Sequence, residues 1–356
     1  MSKYNFYAGP AILPQEALDQ AKQAVIDFDN MGLSILEISH RSKNFVAVMD
    51  RAEALVRELY NVNDEYAILF LSGGASTQFF MAPMNLLNEN ETAGYLDTGT
   101  WASKAIKEAK AFGNIDVLAS SKEENYCYYP KDYAVPNNLK YLHLTSNNTI
   151  YGTQLHVWPD TDVPLVCDMS SDIFSCEIPL EKFDLIYAGA QKNMGPAGVT
   201  LVIVKRGILD KVDRYIPTIL RYSTHDEKKS MYNTPPVFPI YVSMLTMEWI
   251  LKNGGVNDMY ERNKAKANLL YNEIDRNTLF YNNINREDRS LMNVTFHMHN
   301  EGQLADFISF AEKRNCVGLK GHRSIGGLRA SIYNAMSVEG VQALVDTMAE
   351  FEKQNA

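Results

Sequence analysis

The chain has 356 residues, enough for one large core or for two domains, and its composition of 46% hydrophobic and 22% charged residues is that of a soluble globular protein. With 34 basic against 43 acidic residues the formal charge is −9, which argues against a nucleic-acid surface. No apolar run reaches the ~18 residues that span a bilayer, and the first residues lack the apolar stretch of a secretion signal, so the expected location is the cytoplasm, with no membrane partner.

The first residues, through Leu13, contain Gly9 and Pro10 and read as an extended arm. Pro14 then opens a helix with Ala17, Ala21, Ala24, Val25 and Phe28 on one face. The polar stretch Glu37-Ile-Ser-His-Arg-Ser42 leads into a second helix carrying Val46, Met49, Leu55, Val56 and Leu59. A strand at Tyr66–Leu71 and a helix after Gly74 begin an alternation of apolar runs and helical periods. It continues with a strand at Ala93–Leu96, a helix at Trp101–Phe112, and strands at Ile115–Ala119, Leu139–Leu144 and Val163–Val166. Phe183–Ala190 and Val199–Val204 read as two more buried strands around a tight turn with Gly195, Pro196 and Gly198. Strands apolar on both faces and spaced by helices predict a mostly parallel sheet covered on both sides.

Beyond Val204 helices take over at Phe238–Leu251 and Val256–Ile274, separated by Gly254-Gly255. The tail repeats a smaller mixed pattern: strand Met292–His297, helix Gln303–Lys313, strand Leu328–Ile332, helix Val338–Phe351. The expected fold class is α/β. An arm at residues 1–13, packing with the small domain, precedes a large α/β domain at 14–253 and a smaller C-terminal α+β domain at 254–356. The four cysteines (Cys127, Cys167, Cys176, Cys316) have no metal-type spacing, so buried reduced thiols and no metal site are expected.

Seven stretches carry candidate chemistry. Lys192 is delivered at the end of an apolar strand beside Gln191; a lysine desolvated there loses its proton more easily and becomes a nucleophile toward aldehydes and ketones. Leu71-Ser-Gly-Gly-Ala-Ser-Thr-Gln-Phe79 runs from a strand through two glycines into a helix, whose free N–H groups and dipole favour a phosphate; a ligand-free cap is the competing reading. Asp168 ends a buried strand, where α/β sheets bind ligands, although it or Asp172 reads equally well as the cap of a following helix. Trp101 opens a helix and can stack on a ring, and Asn148-Thr149 follows a strand and can hydrogen-bond a ligand or form a turn. Gly318–Ser331 gathers Lys320, His322, Arg323 and Arg329 amid four glycines, a candidate anion site, with His40-Arg41 a smaller basic pair. One cofactor uses every item, pyridoxal 5′-phosphate, which needs a Schiff-base lysine, a carboxylate for its pyridinium nitrogen, a phosphate cup and a stacking aromatic.

The order cup, aromatic, threonine, aspartate, lysine resembles that of the fold-type-I, class V aminotransferases. The resemblance runs the whole chain through Asn5-Phe-Tyr-Ala-Gly-Pro-Ala11, Ser39-His-Arg-Ser42, Gly73-Gly-Ala-Ser-Thr-Gln-Phe79, Asn148-Thr-Ile-Tyr-Gly152, Ala190-Gln-Lys-Asn193, Tyr232-Asn-Thr-Pro-Pro236 and Lys320-Gly-His-Arg323. It implies a large, mostly parallel, seven-stranded type of sheet. It implies that Lys192 bears the cofactor, that Asp168 holds the pyridinium and that Trp101 stacks on the ring. Ala75 and Ser76 would sit in the phosphate cup, although some members have Gly-Arg there. Thr149 and Gln191 would contact the cofactor, while Asn233 and Thr234 would reach its phosphate from the partner subunit of a homodimer. His40, Arg41, His322 and Arg323 would take the substrate's distal anion, and Arg329 its α-carboxylate. The implied activity is amino transfer from L-glutamate to 3-phosphonooxypyruvate, giving O-phospho-L-serine and 2-oxoglutarate, with the 4-phosphooxy-threonine step of pyridoxine biosynthesis as a second substrate class. The nearest rival is a member acting on serine or alanine with glyoxylate, which would not need His322-Arg323. A dinucleotide dehydrogenase is disfavoured because no Gly-x-Gly-x-x-Gly follows the first strand.

Overall fold

The computed structural model describes residues 3–355. The first part of the chain forms β1 (Tyr4–Asn5), α1 (Gln15–Ile26), α2 (Lys43–Tyr60), β2 (Tyr66–Leu71), α3 (Gly74–Leu86), β3 (Thr92–Asp97), α4 (Thr100–Ala109) and β4 (Asn114–Ser120). The middle adds β5 (Leu142–Thr145), β6 (Leu165–Asp168), β7 (Phe183–Gly189), β8 (Thr200–Lys205), α5 (Tyr222–Glu227) and α6 (Val237–Lys252). The remainder is α7 (Gly255–Arg276), β9 (Phe280–Tyr281), β10 (Asn293–Met298), α8 (Leu304–Lys313), β11 (Cys316–Val317), β12 (Leu328–Ser331) and α9 (Val338–Asn355).

Seven strands form the central sheet in the order β2-β8-β7-β6-β5-β3-β4. Only β8 runs against its neighbours, pairing antiparallel with β2 and β7, while the other pairs are parallel. The carboxyl ends of β2, β3, β5, β6 and β7 therefore open on one edge, the place where such sheets leave room for a ligand. Both faces are covered. One core holds Leu144, Cys167, Ile186 and Ile203 under α1, α2 and α6, and the other holds Tyr95, Val166, Tyr187 and Val202 under α3 and α4. Among the described residues no helix is long and apolar enough to cross a membrane.

Several expected boundaries move. Helix α4 stops at Ala109 because Ala111 and Phe112 close tight turns onto Glu108 and Ala109 before Gly113. Leu139, read as the start of a strand, lies in a turn with its N–H on the Pro136 carbonyl, and β5 begins at Leu142. Val25 is 37% exposed rather than on the buried face, which is carried by Ala17, Ala21 and Ala24. Cys167 and Cys316 are buried, whereas Cys127 and Cys176 are only part-buried; all four are free thiols.

A separate core gathers Leu270, Val294, Phe296, Phe307, Leu328 and Leu344 from α7, β10, α8, β12 and α9. Phe6 belongs to it, and β1 pairs in parallel with β11, so the amino-terminal arm is built into this unit. Helix α7 serves both units, with Met259 in the sheet core and Leu270 in the second. Lys266, also on α7, is 1% exposed, and its Nζ donates to the carbonyls of Ile332 and Tyr333 at 2.8 and 2.7 Å. The two units meet along a buried polar seam. Asn147 Nδ2 donates to Ser171 Oγ at 2.8 Å and to Asn293 Oδ1 at 2.7 Å. Asn334 Oδ1 accepts from Asn263 Nδ2, its Nδ2 donates to the Phe174 carbonyl, and its backbone N–H donates to Asn193 Oδ1. Most of these buried amide groups are paired, several of them across the join, while Asn263 Oδ1 has no partner.

Candidate active site

Lys192 stands three residues beyond β7, in a turn where the N–H groups of Met194 and Gly195 both donate to the Ala190 carbonyl. Its Nζ donates to Thr149 Oγ1 at 2.8 Å and lies 5.5 Å from the centre of the Trp101 ring. Thr149 comes from the loop after β5, and its carbonyl accepts from Arg329 Nη1 on β12 at 3.1 Å. The arm closes another side: Ala11 N–H donates to the Gln191 carbonyl at 2.9 Å, and a Cβ at Gly9 would stand 3.4 Å from Lys192 Cγ. Four strand or loop segments and the arm thus converge on one amine.

Asp168 ends β6 and is 5% exposed, with Oδ1 accepting the N–H of Ser170 at 2.9 Å. No helix follows it; residues 170–174 form turns, so neither Asp168 nor Asp172 serves as a helix cap. Burial raises the Asp168 carboxyl above the ordinary range, and the nearby Lys192 charge and the Ser170 hydrogen bonds oppose that shift. Burial likewise draws Lys192 below the ordinary lysine range, with Asp168 opposing and the like charge of Arg329 reinforcing the fall. A depressed amine beside a buried carboxylate is the electrostatic pattern of a reactive lysine.

The start of α3 is shaped by Gly73, whose φ of 100° is left-handed and whose added Cβ would collide with Thr77. Ala75 is part-buried and Ser76 exposed in the first turn. Asn233 lines a cavity of about 260 Å³ together with Gly73 and Thr77, and its neighbour Thr234 is exposed. Gln191 folds its side chain back over Gly189, where a Cβ would come within 2.8 Å of Oε1.

A cluster of cations borders the lysine. The His322 imidazole is held below its ordinary range by burial, then by Arg329, Arg323 and Lys104, and its Nδ1 lies 2.6 Å from Ser324 Oγ. Lys104 Nζ stands 4.7 Å from the centre of the Trp101 ring. Among the described residues none of Lys104, His322, Arg323 or Arg329 forms an ion pair with a carboxylate. Unneutralised cations gathered around one opening suit an anionic ligand. His40 and Arg41 lie apart at the start of α2; among the described residues no hydrogen bond or ion pair joins them to this cluster, and His40 Nε2 is buried without a partner.

The residues fit pyridoxal 5′-phosphate. Trp101 Nε1 and Asn148 Oδ1 are buried with no hydrogen-bond partner at the rim of the same space, and a Cβ at Gly99 would stand 2.6 Å from that Asn148 oxygen. Orphaned polar atoms beside an amine, a carboxylate and a helix start are groups awaiting a polar aromatic ligand. Sequence reasoning had singled out Lys192, Thr149, Trp101, Asp168 and Arg329, which the fold brings together. It had missed the contact of the arm with Lys192 and the presence of Lys104. The paired Gly9-Pro10 in an apolar arm and the (i, i+3) spacing of Trp101 and Lys104 were the available signals.

Comparison with known proteins gives the family. The model of the family Aminotransferase class-V matches residues 3–344, and the chain belongs to that family of pyridoxal-phosphate-dependent transaminases. Within it, the chain is similar to phosphoserine aminotransferases. It is 58% identical to that of Flavobacterium psychrophilum over 355 residues, covering 99% of this chain and 100% of the other. It is 56% identical to that of Phocaeicola vulgatus over 356 residues, with 99% of each covered. Among solved structures, the phosphoserine aminotransferase of Bacillus circulans subsp. alkalophilus superposes with a TM-score of 0.96 at 46% identity, covering 99% of each chain. The PLP-bound enzyme of Trichomonas vaginalis gives 0.93 at 37% identity, covering 98% of this chain and 99% of that one.

Proposed function

We propose that the chain moves the amino group of L-glutamate to 3-phosphonooxypyruvate, giving O-phospho-L-serine and 2-oxoglutarate, as a cytoplasmic homodimer in L-serine biosynthesis. The observation that carries the reading is the depressed Lys192, held by Thr149 opposite Asp168 and bordered by cations that no carboxylate neutralises. Pyridoxal 5′-phosphate bound there supplies the electron sink that acidifies the substrate Cα–H. Lys192 Nζ would carry it and, once displaced by the substrate amine, would take the Cα proton as general base and hand it to the cofactor's C4′ as general acid. Asp168 would hold a proton on the ring nitrogen, Trp101 would offer its face to the ring, and Thr149 and Gln191 would supply polar contacts. Ala75 and Ser76, in the first turn of α3, take the cofactor phosphate with backbone and hydroxyl donors.

Arg329 receives the substrate α-carboxylate, being fixed by its bond to the Thr149 carbonyl. His322 and Arg323 receive the distal group, which is a carboxylate in one substrate and a phosphate in the other; both are anions, so one cluster serves both half-reactions. His40, Arg41, Asn233 and Thr234 come from the second copy of the chain. Their exposure, or their separation from Lys192 within one chain, supports that assignment. The 4-phosphooxy-threonine step of pyridoxine biosynthesis presents the same pair of anionic groups and is a second substrate of the same site. The test is to add glutamate to the purified protein, follow the cofactor absorption band until it is lost, and then ask which keto acid restores it. Restoration by 3-phosphonooxypyruvate at low concentration supports the reading; restoration by glyoxylate alone refutes it.

A further inference from the structure

A second buried carboxylate is tied to Asp168 through a shared hydroxyl. Asp172, four residues past Asp168 in the turn that follows β6, is 7% exposed. Ser146 Oγ donates to Asp172 Oδ1 at 2.6 Å and lies 3.1 Å from the Asp168 carbonyl, so one hydroxyl ties the two acidic residues together. Gln154 Nε2 lies 3.4 Å from Oδ2. Both donors are neutral, and among the described residues no cation pairs directly with this carboxylate. Burial pushes the Asp172 carboxyl up to about 7, the Ser146 hydrogen bond opposes the shift, and the like charge of Asp168 adds to it. The charge is felt at Lys192, whose protonated form is supported first by Asp168 and then by Asp172. Asp172 also lines a cavity of about 230 Å³ together with His156, Cys176, Glu177 and Tyr260, and none of Lys192, Thr149, Trp101 or Arg329 lines it.

We propose that Asp172 is a positioning residue of the site, an ionisable second counter-charge to Lys192 that exchanges its proton through this separate cleft and so sets how much of the lysine is neutral. The inference rests on reading Lys192 as the cofactor-bearing lysine. The titratable groups facing Asp172 are Asp168 and Cys167 on β6, Lys192 after β7, Cys176 in its own turn, Tyr60 on α2, Tyr129, and Tyr333 past β12. Burial raises the thiols and phenols among them, so they stay neutral through the neutral range, and burial keeps His156 below its ordinary value. Among these groups, charge in that range therefore changes at Asp172. When Asp172 is ionised it favours the ammonium; when it is protonated that support is withdrawn and the neutral amine gains. A carboxylate coupled to a lysine in this way broadens the lysine's own titration.

The experiment follows the absorption band of the bound cofactor against pH in the holoenzyme and in Asp172→Asn and Ser146→Ala. Asp172→Asn keeps the shape and removes the charge, so the pH midpoint of the band should fall by about one unit, a roughly tenfold change in the protonation equilibrium. Ser146→Ala removes the donor that helps Asp172 hold its charge and should move the midpoint the same way, with no further shift in the double variant. A folded Asp172→Asn protein with an unmoved or raised midpoint overturns the inference. If that variant does not fold, an unmoved midpoint in Ser146→Ala overturns it. Borohydride reduction of the wild-type holoenzyme followed by peptide mapping separates the two levels of reading. Label on another lysine overturns the assignment of Lys192 and this inference with it, whereas label on Lys192 with an unmoved midpoint overturns only the role of Asp172.

Discussion

Lys192 owes its chemistry to what surrounds it rather than to its own side chain: burial draws it down, Asp168 holds it up, and Arg329 draws it down again. Lys192→Ala should therefore lose turnover by ~10³-fold or more while keeping its fold, with the loss read in single-turnover assays and the fold by circular dichroism. Lys266 shows what the same burial does where no carboxylate answers it. Its amine is lowered to about 7 by burial, with Arg262 adding to the fall. Between about 7 and the ordinary value of 10.5 the unfolded chain binds a proton there that the folded chain does not, so folding stability rises with pH through that window, by ~1.4 kcal/mol per unit at most. Chemical denaturation at pH 7, 8 and 9 should show the rise, and Lys266→Met should flatten it; an unchanged slope in the variant would assign the rise to other groups. Residue identities of this kind were largely legible in the sequence where a lysine or aspartate ended an apolar strand. Lys266 was not, because one lysine on an amphipathic helix reads the same whether it faces water or two carbonyls.

Elements were legible where periodicity is strong and blurred where turns decide. The strand that carries Asp168 and the strand that precedes Lys192 were found because short apolar runs, Leu165–Cys167 and Leu185–Ala190, are bounded by polar and turn residues. The boundary of α4 was missed because Ala111 and Phe112 keep the helical composition while their hydrogen bonds tighten into turns. The short strands β1 and β11 carry two residues each, too few for any pattern, and form only because they meet one another. The order β2-β8-β7-β6-β5-β3-β4 could not be read from the chain, since strand composition says nothing of neighbours. The segment between β11 and β12 belongs to this scale too. Its glycines, with positive φ at Gly318, Gly326 and Gly327, bring His322 and Arg323 to the rim near Arg329. If that rim reads the distal anion, Arg323→Ala should raise the KM for phosphoserine and for glutamate about tenfold, the value of one charge-assisted hydrogen bond. A small uncharged amino acid should be barely affected. Equal losses for all three donors in steady-state assays would make Arg323 a structural residue of the loop.

At the scale of the molecule the prediction concerns assembly. If Asn233 and Thr234 complete the neighbour's site in a twofold dimer, Lys192→Ala and Asn233→Ala/Thr234→Ala damage different sites when the two variants share a dimer. Equimolar mixing through partial unfolding and refolding should then restore activity in roughly a quarter of the sites, since half the dimers are mixed and each holds one intact site. Sites built from one chain alone would stay damaged, and mixing would restore nothing. Within each chain, the buried seam of Asn147, Ser171, Asn293, Asn193 and Asn334 has a mechanical meaning. Asn147 reaches Asn293, and Asn334 reaches both Asn193 and the Phe174 carbonyl, across the join, so parting the two units would strand several polar groups at once, at about 1–3 kcal/mol each. Small excursions are penalised almost as heavily as large ones, and the join behaves as a latch rather than a hinge. Backbone amides on β10 and β12 should then exchange their hydrogens with deuterated water no faster than those of the central sheet. The part-exposed stretch from Gly321 to Gly327 should exchange faster than either, and slow when an anionic substrate analogue binds to His322 and Arg323, while the body beneath it holds still.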